Sequence, residues 1–207
     1  AAVKGRWDYI AGKRLMYRSE LVDPNAVKFH FDGVIPGRTA LMLEPYRGES
    51  EWRGETNLTT EEIIDVVVYL DRLGIRVDAH CMGSGAARQF LDAVEVAREK
   101  NGPGGKRHQM THSGFVNPQD RRRFAELNVV PEFSPIYWYP SPAVEGMKSL
   151  LSDAQVEEAF PVAPILAAGG RGVIGTDWPV TPVEGIWIGF ETLVTREDPW
   201  GEVEGRL

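Results

Sequence analysis

Along the chain, short apolar runs alternate with longer stretches in which apolar positions recur every three or four residues. VKFHF (27–31) has the β-branched and aromatic content of a strand and stops at Asp32 and Gly33. A polar loop follows, carrying Pro36, Gly37, Pro45, Gly48 and Gly54. TTEEIIDVVVYLDRLG then predicts a helix: Thr59 or Thr60 can cap it, and Glu61 and Glu62 suit its first turn. Ile63, Val66, Val67 and Leu70 share one face of that helix, and Gly74 ends it. IRVDAH predicts a second strand closing at His80, and Phe90, Leu91, Val94 and Ala97 mark a helix over 86–100 that NGPGG terminates.

RHQMTH predicts a third strand ending at His112, with a helix over 118–127 behind it and Pro118 in its first turn. A fourth strand is expected near 129–133, against which Pro131 speaks, and a looser helical stretch over 148–168 is broken by Pro161 and Pro164. GVIGTD gives a fifth strand that stops at Asp177, because Pro179 cannot donate to a ladder. Strand and helix in repeated alternation predict an α/β fold with a parallel sheet and right-handed crossovers. Five strands are too few to close an eight-stranded barrel. The loops do not resemble interdomain linkers, so residues 1–207 are read as one domain.

Composition changes little in this picture. With 43% hydrophobic and 26% charged residues, the 207-residue chain has the balance of a globular protein. A net charge of -7 without a basic cluster, apart from Arg121, Arg122 and Arg123, argues against nucleic acid or an anionic membrane surface as partner. There is no apolar stretch near the roughly 18 to 20 residues that cross a bilayer and no basic-then-apolar leader, so a cytoplasmic protein is expected. The lone Cys81 rules out an internal disulfide.

The strand ends carry the candidate chemistry. Lys28 lies in the first strand, His80 closes the second, His112 the third and Asp177 the last, all on one rim of the sheet. In parallel α/β folds that rim is where active sites assemble, and imidazole with carboxylate suits zinc or a similar divalent ion. Each residue also has a plainer role. A histidine in a protein of this size is more often structural than a ligand, and Lys28 could pair with a carboxylate. His30 shares a strand face with Lys28 and competes for its role, His108 is expected as a polar edge residue, and alternation turns Cys81 away from the rim. The aromatics of IYWYP (136–140) could line a pocket or simply pack a loop.

Four blocks, VKFHFDGVIPGRTALMLEPY, AHCMGSGAARQFLDAVEVA, RHQMTHSGFVNPQDRRRFAELNVV and GVIGTDWPVTP, resemble in order and spacing the amidohydrolase superfamily. The likeness is to its family-3 branch, which includes N-substituted formamide deformylases and other metal-dependent hydrolases, and it runs over 27–197. It implies a TIM-type (β/α)8 barrel of which this chain supplies about strands four to eight. Lys28 would then be the strand-four lysine that relatives carboxylate to bridge metals. His80 and His112 would be histidine ligands, and Asp177 the ligand that also takes a proton from the attacking water. One or two divalent ions, zinc first among them, and a small amide-type substrate follow from the same resemblance. The opening H-x-H pair, strands one to three and the flanking β-sandwich of the superfamily have no counterpart here, so the chain is expected to be a fragment. The superfamily commonly has Asp-Arg after the glycine where this chain has Ser84 and Gly85.

Three functions are open at this point. The first is metal-dependent hydrolysis of a carbon-nitrogen bond other than a peptide bond. The second is a catalytically incomplete barrel piece or binding protein, and the third a carbohydrate-active barrel. A partial barrel leaves strand edges uncovered, so pairing with a second copy of the chain or an altered open sheet is expected.

Overall fold

A computed structural model describes residues 2–180 and 185–207. Helix α1 (Ala2–Lys13) leads into β1 (Ala26–His30), α2 (Thr60–Arg72), β2 (Arg76–Cys81), α3 (Ser84–Asn101) and β3 (Gln109–His112). The short α4 (Arg123–Glu126), β4 (Val130–Phe133), α5 (Pro142–Ser149), α6 (Asp153–Glu157), α7 (Val162–Ala167), β5 (Val173–Ile174) and α8 (Ile186–Thr195) complete the order. The five described strands form one sheet in the order β1-β2-β3-β4-β5, every neighbour parallel. A doubly wound sheet reverses its strand order at a switch point, whereas sequential parallel winding belongs to a (β/α)8 barrel. The fold is therefore α/β, a five-stranded segment of a TIM-type barrel.

The helices form where the sequence supplies their signals. Thr59 caps α2 by accepting the Glu62 N–H at 3.2 Å, and the Glu62 carboxylate accepts the Thr59 N–H at 2.9 Å, a reciprocal capping box. Gly74 takes a left-handed backbone, φ 68°, directly after the helix. Ile63, Val66, Val67 and Leu70 are fully buried, as are Phe90, Leu91, Val94 and Ala97 of α3. They meet Val77, Ala79 and Cys81 from the outward face of β2 in one core. Each large apolar side chain buried there contributes about 1.5–3 kcal/mol, so this layer anchors the sheet from outside. The thiol of Cys81 is part of that core.

The inward face is polar, and the register shows why. Lys28 pairs with Asp78 and His30 with His80 across β1 and β2, while His80 pairs with Thr111 across β2 and β3. Alternation places these residues, with Glu132 two places beyond Val130 on β4, on one side of the sheet.

Several expectations change. The predicted helix over 118–127 is helical only in α4, because Asp120 N–H bonds to Asn117 C=O and Arg123 N–H to Asp120 C=O in successive turns. The stretch 148–168 is broken, into the end of α5, α6 and α7, but Pro161 stands just ahead of α7 and Pro164 lies inside its first turn instead of breaking it. Helix α5 starts earlier because Ser141 caps it ahead of Pro142. The ladder of the fifth strand covers only Val173–Ile174, so Asp177 lies beyond the strand. His108 is no edge residue but fully buried. Helices α1 and α8 were not among the elements predicted. Of the sequence motif GVIGTDWPVTP, Thr181 and Pro182 lie outside the described residues.

Candidate active site

Two strand ends bend to form the site. His112 follows Thr111, so strict alternation would turn its ring to the outer face beside Cys81, its register partner. Its backbone is instead left-handed, φ 71°, and the ring turns to meet His80 edge-on with centroids 4.5 Å apart. Asp177 is left-handed too, φ 57°. A non-glycine residue held in this region costs on the order of 1 kcal/mol, a cost that clusters at functional sites. His30 stacks on the other side of His80 at 4.7 Å, completing a row of three imidazoles.

The hydrogen bonds decide which ring nitrogens are available. His80 Nε2 lies 3.0 Å from the carbonyl oxygen of Gly33. A carbonyl only accepts, so Nε2 carries the proton and Nδ1 the lone pair. That Nδ1 is buried with no hydrogen-bond partner among the described residues. His112 Nδ1 lies 3.0 Å from the hydroxyl of Ser134, which leaves Nε2 as the second nitrogen. Burial holds both rings neutral: it lowers His80 below the ordinary value, and with His80, Lys28 and His30 nearby it takes His112 down to about 3.

Lys28 Nζ donates to Thr111 Oγ1 at 2.7 Å and stands 3.8 Å from Asp78 Oδ1, and Thr111 in turn donates to Asp78. Its charge is felt at both His80 and His112. Asp177, whose charge also reaches His80, accepts the hydroxyl of Tyr137 on Oδ2 at 3.1 Å. Burial and the adjacent Asp177 push the Tyr137 hydroxyl upward, so it stays a donor. Of the four predicted residues, His80 and His112 are in contact, Lys28 is held by Thr111 and Asp78 below the strand end, and Asp177 is held by Tyr137. Among the described residues, no three His, Cys, Asp or Glu side chains converge as a metal site.

Sequence reasoning missed the residues behind that rim. Glu132 is buried beneath His112; its carboxylate accepts the His112 backbone N–H at 3.2 Å and the Ser134 hydroxyl at 3.3 Å. Burial raises its pKa while the His112 N–H and Lys28 favour its charged form. A lone carboxylate in the apolar run VVPEF was the available signal. Asp32 accepts N–H bonds from Leu41, Met82 and Gly83 at 3.0, 3.0 and 2.9 Å, tying the long loop to the end of β2. Burial pushes it up to about 7 against those three bonds. The same loop explains Ser84 and Gly85: Ser84 Oγ accepts the Leu43 N–H at 3.2 Å, and a Cβ on Gly85 would come within 2.8 Å of Leu41 Cγ. An arginine there would have to displace the loop. Beside His112 opens a cavity of about 160 Å³ bounded by Met82, Ser134, Tyr137, Trp138, Met147 and Phe160, so two of the IYWYP aromatics line a pocket while Tyr139 packs on Trp200.

The donor chemistry fits a divalent ion through two neutral imidazoles, one with an unpartnered buried nitrogen, next to a carboxylate. The fold is that of a parallel barrel segment with His80 and His112 in contact at the C-terminal ends of β2 and β3. The chain belongs to the amidohydrolase family, whose sequence model matches residues 11–206. It is 26% identical over 181 residues to Protein LONG AFTER FAR-RED 3 of Arabidopsis thaliana, covering 87% of this chain and 31% of that protein. To the putative amidohydrolase YtcJ of Bacillus subtilis it is 24% identical over 176 residues, covering 85% of this chain and 32% of that protein. The chain therefore spans about a third of the length of these curated relatives. The same fold occurs in an uncharacterized metal-dependent hydrolase from Pyrococcus furiosus, TM-score 0.75 at 23% identity over 95% of this chain and 41% of that one. A second, from Pyrococcus horikoshii OT3, has TM-score 0.76 at 20% identity over 91% and 38%.

Proposed function

We propose that this rim is part of the active site of a metal-dependent hydrolase that cleaves carbon-nitrogen bonds other than peptide bonds, of amide or formamide type. The observation that carries the reading is the pair of neutral histidines in contact, His80 offering Nδ1 and His112 offering Nε2. With Asp177 and Lys28 in its carboxylated form they would hold a divalent metal, zinc being the first choice for imidazole and carboxylate donors. When bound, such an ion polarises a carbonyl and brings the pKa of water toward neutrality. The chain's own residues supply the rest. Tyr137 holds Asp177 by Oδ2, which leaves Oδ1 to accept the proton of the attacking water and pass it to the leaving nitrogen. The apolar cavity beside His112 excludes water from one side of the reacting group.

The test is amine release from N-substituted formamides and amides by the zinc-supplemented chain. Asp177→Asn is expected to lower turnover by at least about 10²-fold, because it removes the base and weakens the hold on the metal. No release by the loaded chain, or undiminished turnover in Asp177→Asn, contradicts the reading. The absence of three converging metal-type side chains among the described residues favours a second reading, a binding protein that keeps the rim without turnover. A folded chain that neither takes up metal nor releases amine would support it.

A further inference from the structure

His80 takes its tautomer from a backbone carbonyl, whereas His112 takes it from side chains. Ser134, 2% exposed, has a single hydroxyl proton and two neighbours, Glu132 Oε1 at 3.3 Å and His112 Nδ1 at 3.0 Å. Both Glu132 oxygens act as acceptors, Oε2 for the His112 N–H and Oε1 for Ser134. The serine proton is therefore directed to Glu132, so Ser134 Oγ must accept from Nδ1–H of His112. Nε2 is left with the lone pair. The backbone after β5 closes tightly over this arrangement: a Cβ built on Gly175 would stand 2.1 Å from Glu132 Oε1.

We propose that Glu132, acting through Ser134, is a positioning residue that fixes the tautomer of His112 and so determines that Nε2 is the nitrogen with the lone pair. What Nε2 is used for rests on the hydrolase reading above; the relay does not. Partners of this kind beyond a ligand ring orient it and raise its basicity.

The substitution Glu132→Gln makes the relay visible. If the amide oxygen keeps the His112 N–H, the amide NH₂ faces Ser134 and donates to it. Ser134 must then give its proton to His112 Nδ1, and the ring proton moves to Nε2. Nitrogen-15 NMR of the histidine rings in the metal-free chain reads this directly. Nδ1–H is expected in the wild type and Nε2–H in Glu132→Gln, together with a zinc affinity about 10- to 100-fold lower. If Glu132→Gln does not fold, Ser134→Ala carries the test: a mixture of tautomers is expected, restored to Nδ1–H by Ser134→Thr. A wild-type proton on Nε2, an unchanged Nδ1–H in Glu132→Gln, or a pure Nδ1–H form in Ser134→Ala overturns the proposal. A tautomer switch in protein that binds no zinc upholds the relay and removes the hydrolase reading.

Discussion

His108 and His112 stand four residues apart at opposite ends of one strand, both buried and both held neutral, yet their surroundings give them opposite uses. His108 Nδ1 accepts the Val77 N–H at 3.0 Å and its Nε2–H donates to Asp71 at 3.0 Å, so both nitrogens are consumed. Asp71 also takes Arg98 at 2.8 Å, Asn101 at 3.0 Å and the Lys106 N–H at 3.1 Å. Neither nitrogen of His108 is left to bind a ligand; the network ties α2, α3 and the start of β3 together. At the other end His80 and His112 each have one nitrogen committed to the protein and one spare. A saturated buried histidine belongs to structure, and one held by a single nitrogen is available for chemistry.

The largest effect that would break this contrast is expected from Asp71→Ala. It strands the Arg98 guanidinium, 10% exposed, and is expected to cost about 3–5 kcal/mol by urea denaturation. A loss under about 1 kcal/mol would show that the closed end is not the structural one.

Acid should act on both ends with the same sign. Burial lowers the folded-state pKa of His80, His108 and His112, the last to about 3, so below about pH 6.5 the unfolded chain binds protons that the native chain refuses. Stability of the metal-free chain is expected to be full above that pH and to fall as pH drops towards 3, by up to about 1.4 kcal/mol per pH unit for each such group. Asp71, held well below the carboxylate range by His108, Asn101 and Arg98 despite its burial, adds a loss below about pH 4. His108→Gln should flatten the histidine part of the slope, measured as urea midpoint against pH; an unchanged slope would mean that His108 is not protected.

Lys28→Met is expected to have the smallest effect on stability, under about 1 kcal/mol, because its partly exposed pair with Asp78 is solvent-screened. If its loss instead lowers zinc affinity of the loaded chain, measured by calorimetry, Lys28 belongs to the site. A loss of several kcal/mol with unchanged affinity would place it with the structural set.

Much of this was legible in the sequence because periodicity and caps are local. The α2 helix could be read from Thr59, Glu62 and Gly74, and strand ends at His80 and His112 from apolar runs that stop there. What could not be read depends on register. His108 looked like an edge residue because only the folded sheet brings Asp71 and Val77 against it. Glu132 and Ser134 lie behind His112 only once β3 and β4 are paired, and their meaning rests on who donates to whom. The split of 148–168 into short helices reflects tertiary packing of segments whose own patterns are weak.

On the proposed reading, the spare nitrogens of His80 and His112 bind metal while the saturated His108 does not. Elemental analysis of the untagged chain after zinc loading and dialysis tests it. About one zinc per chain is expected, lost in His80→Ala and His112→Ala but kept in His108→Gln. A chain that holds no zinc, or zinc retained after loss of both His80 and His112, would contradict it.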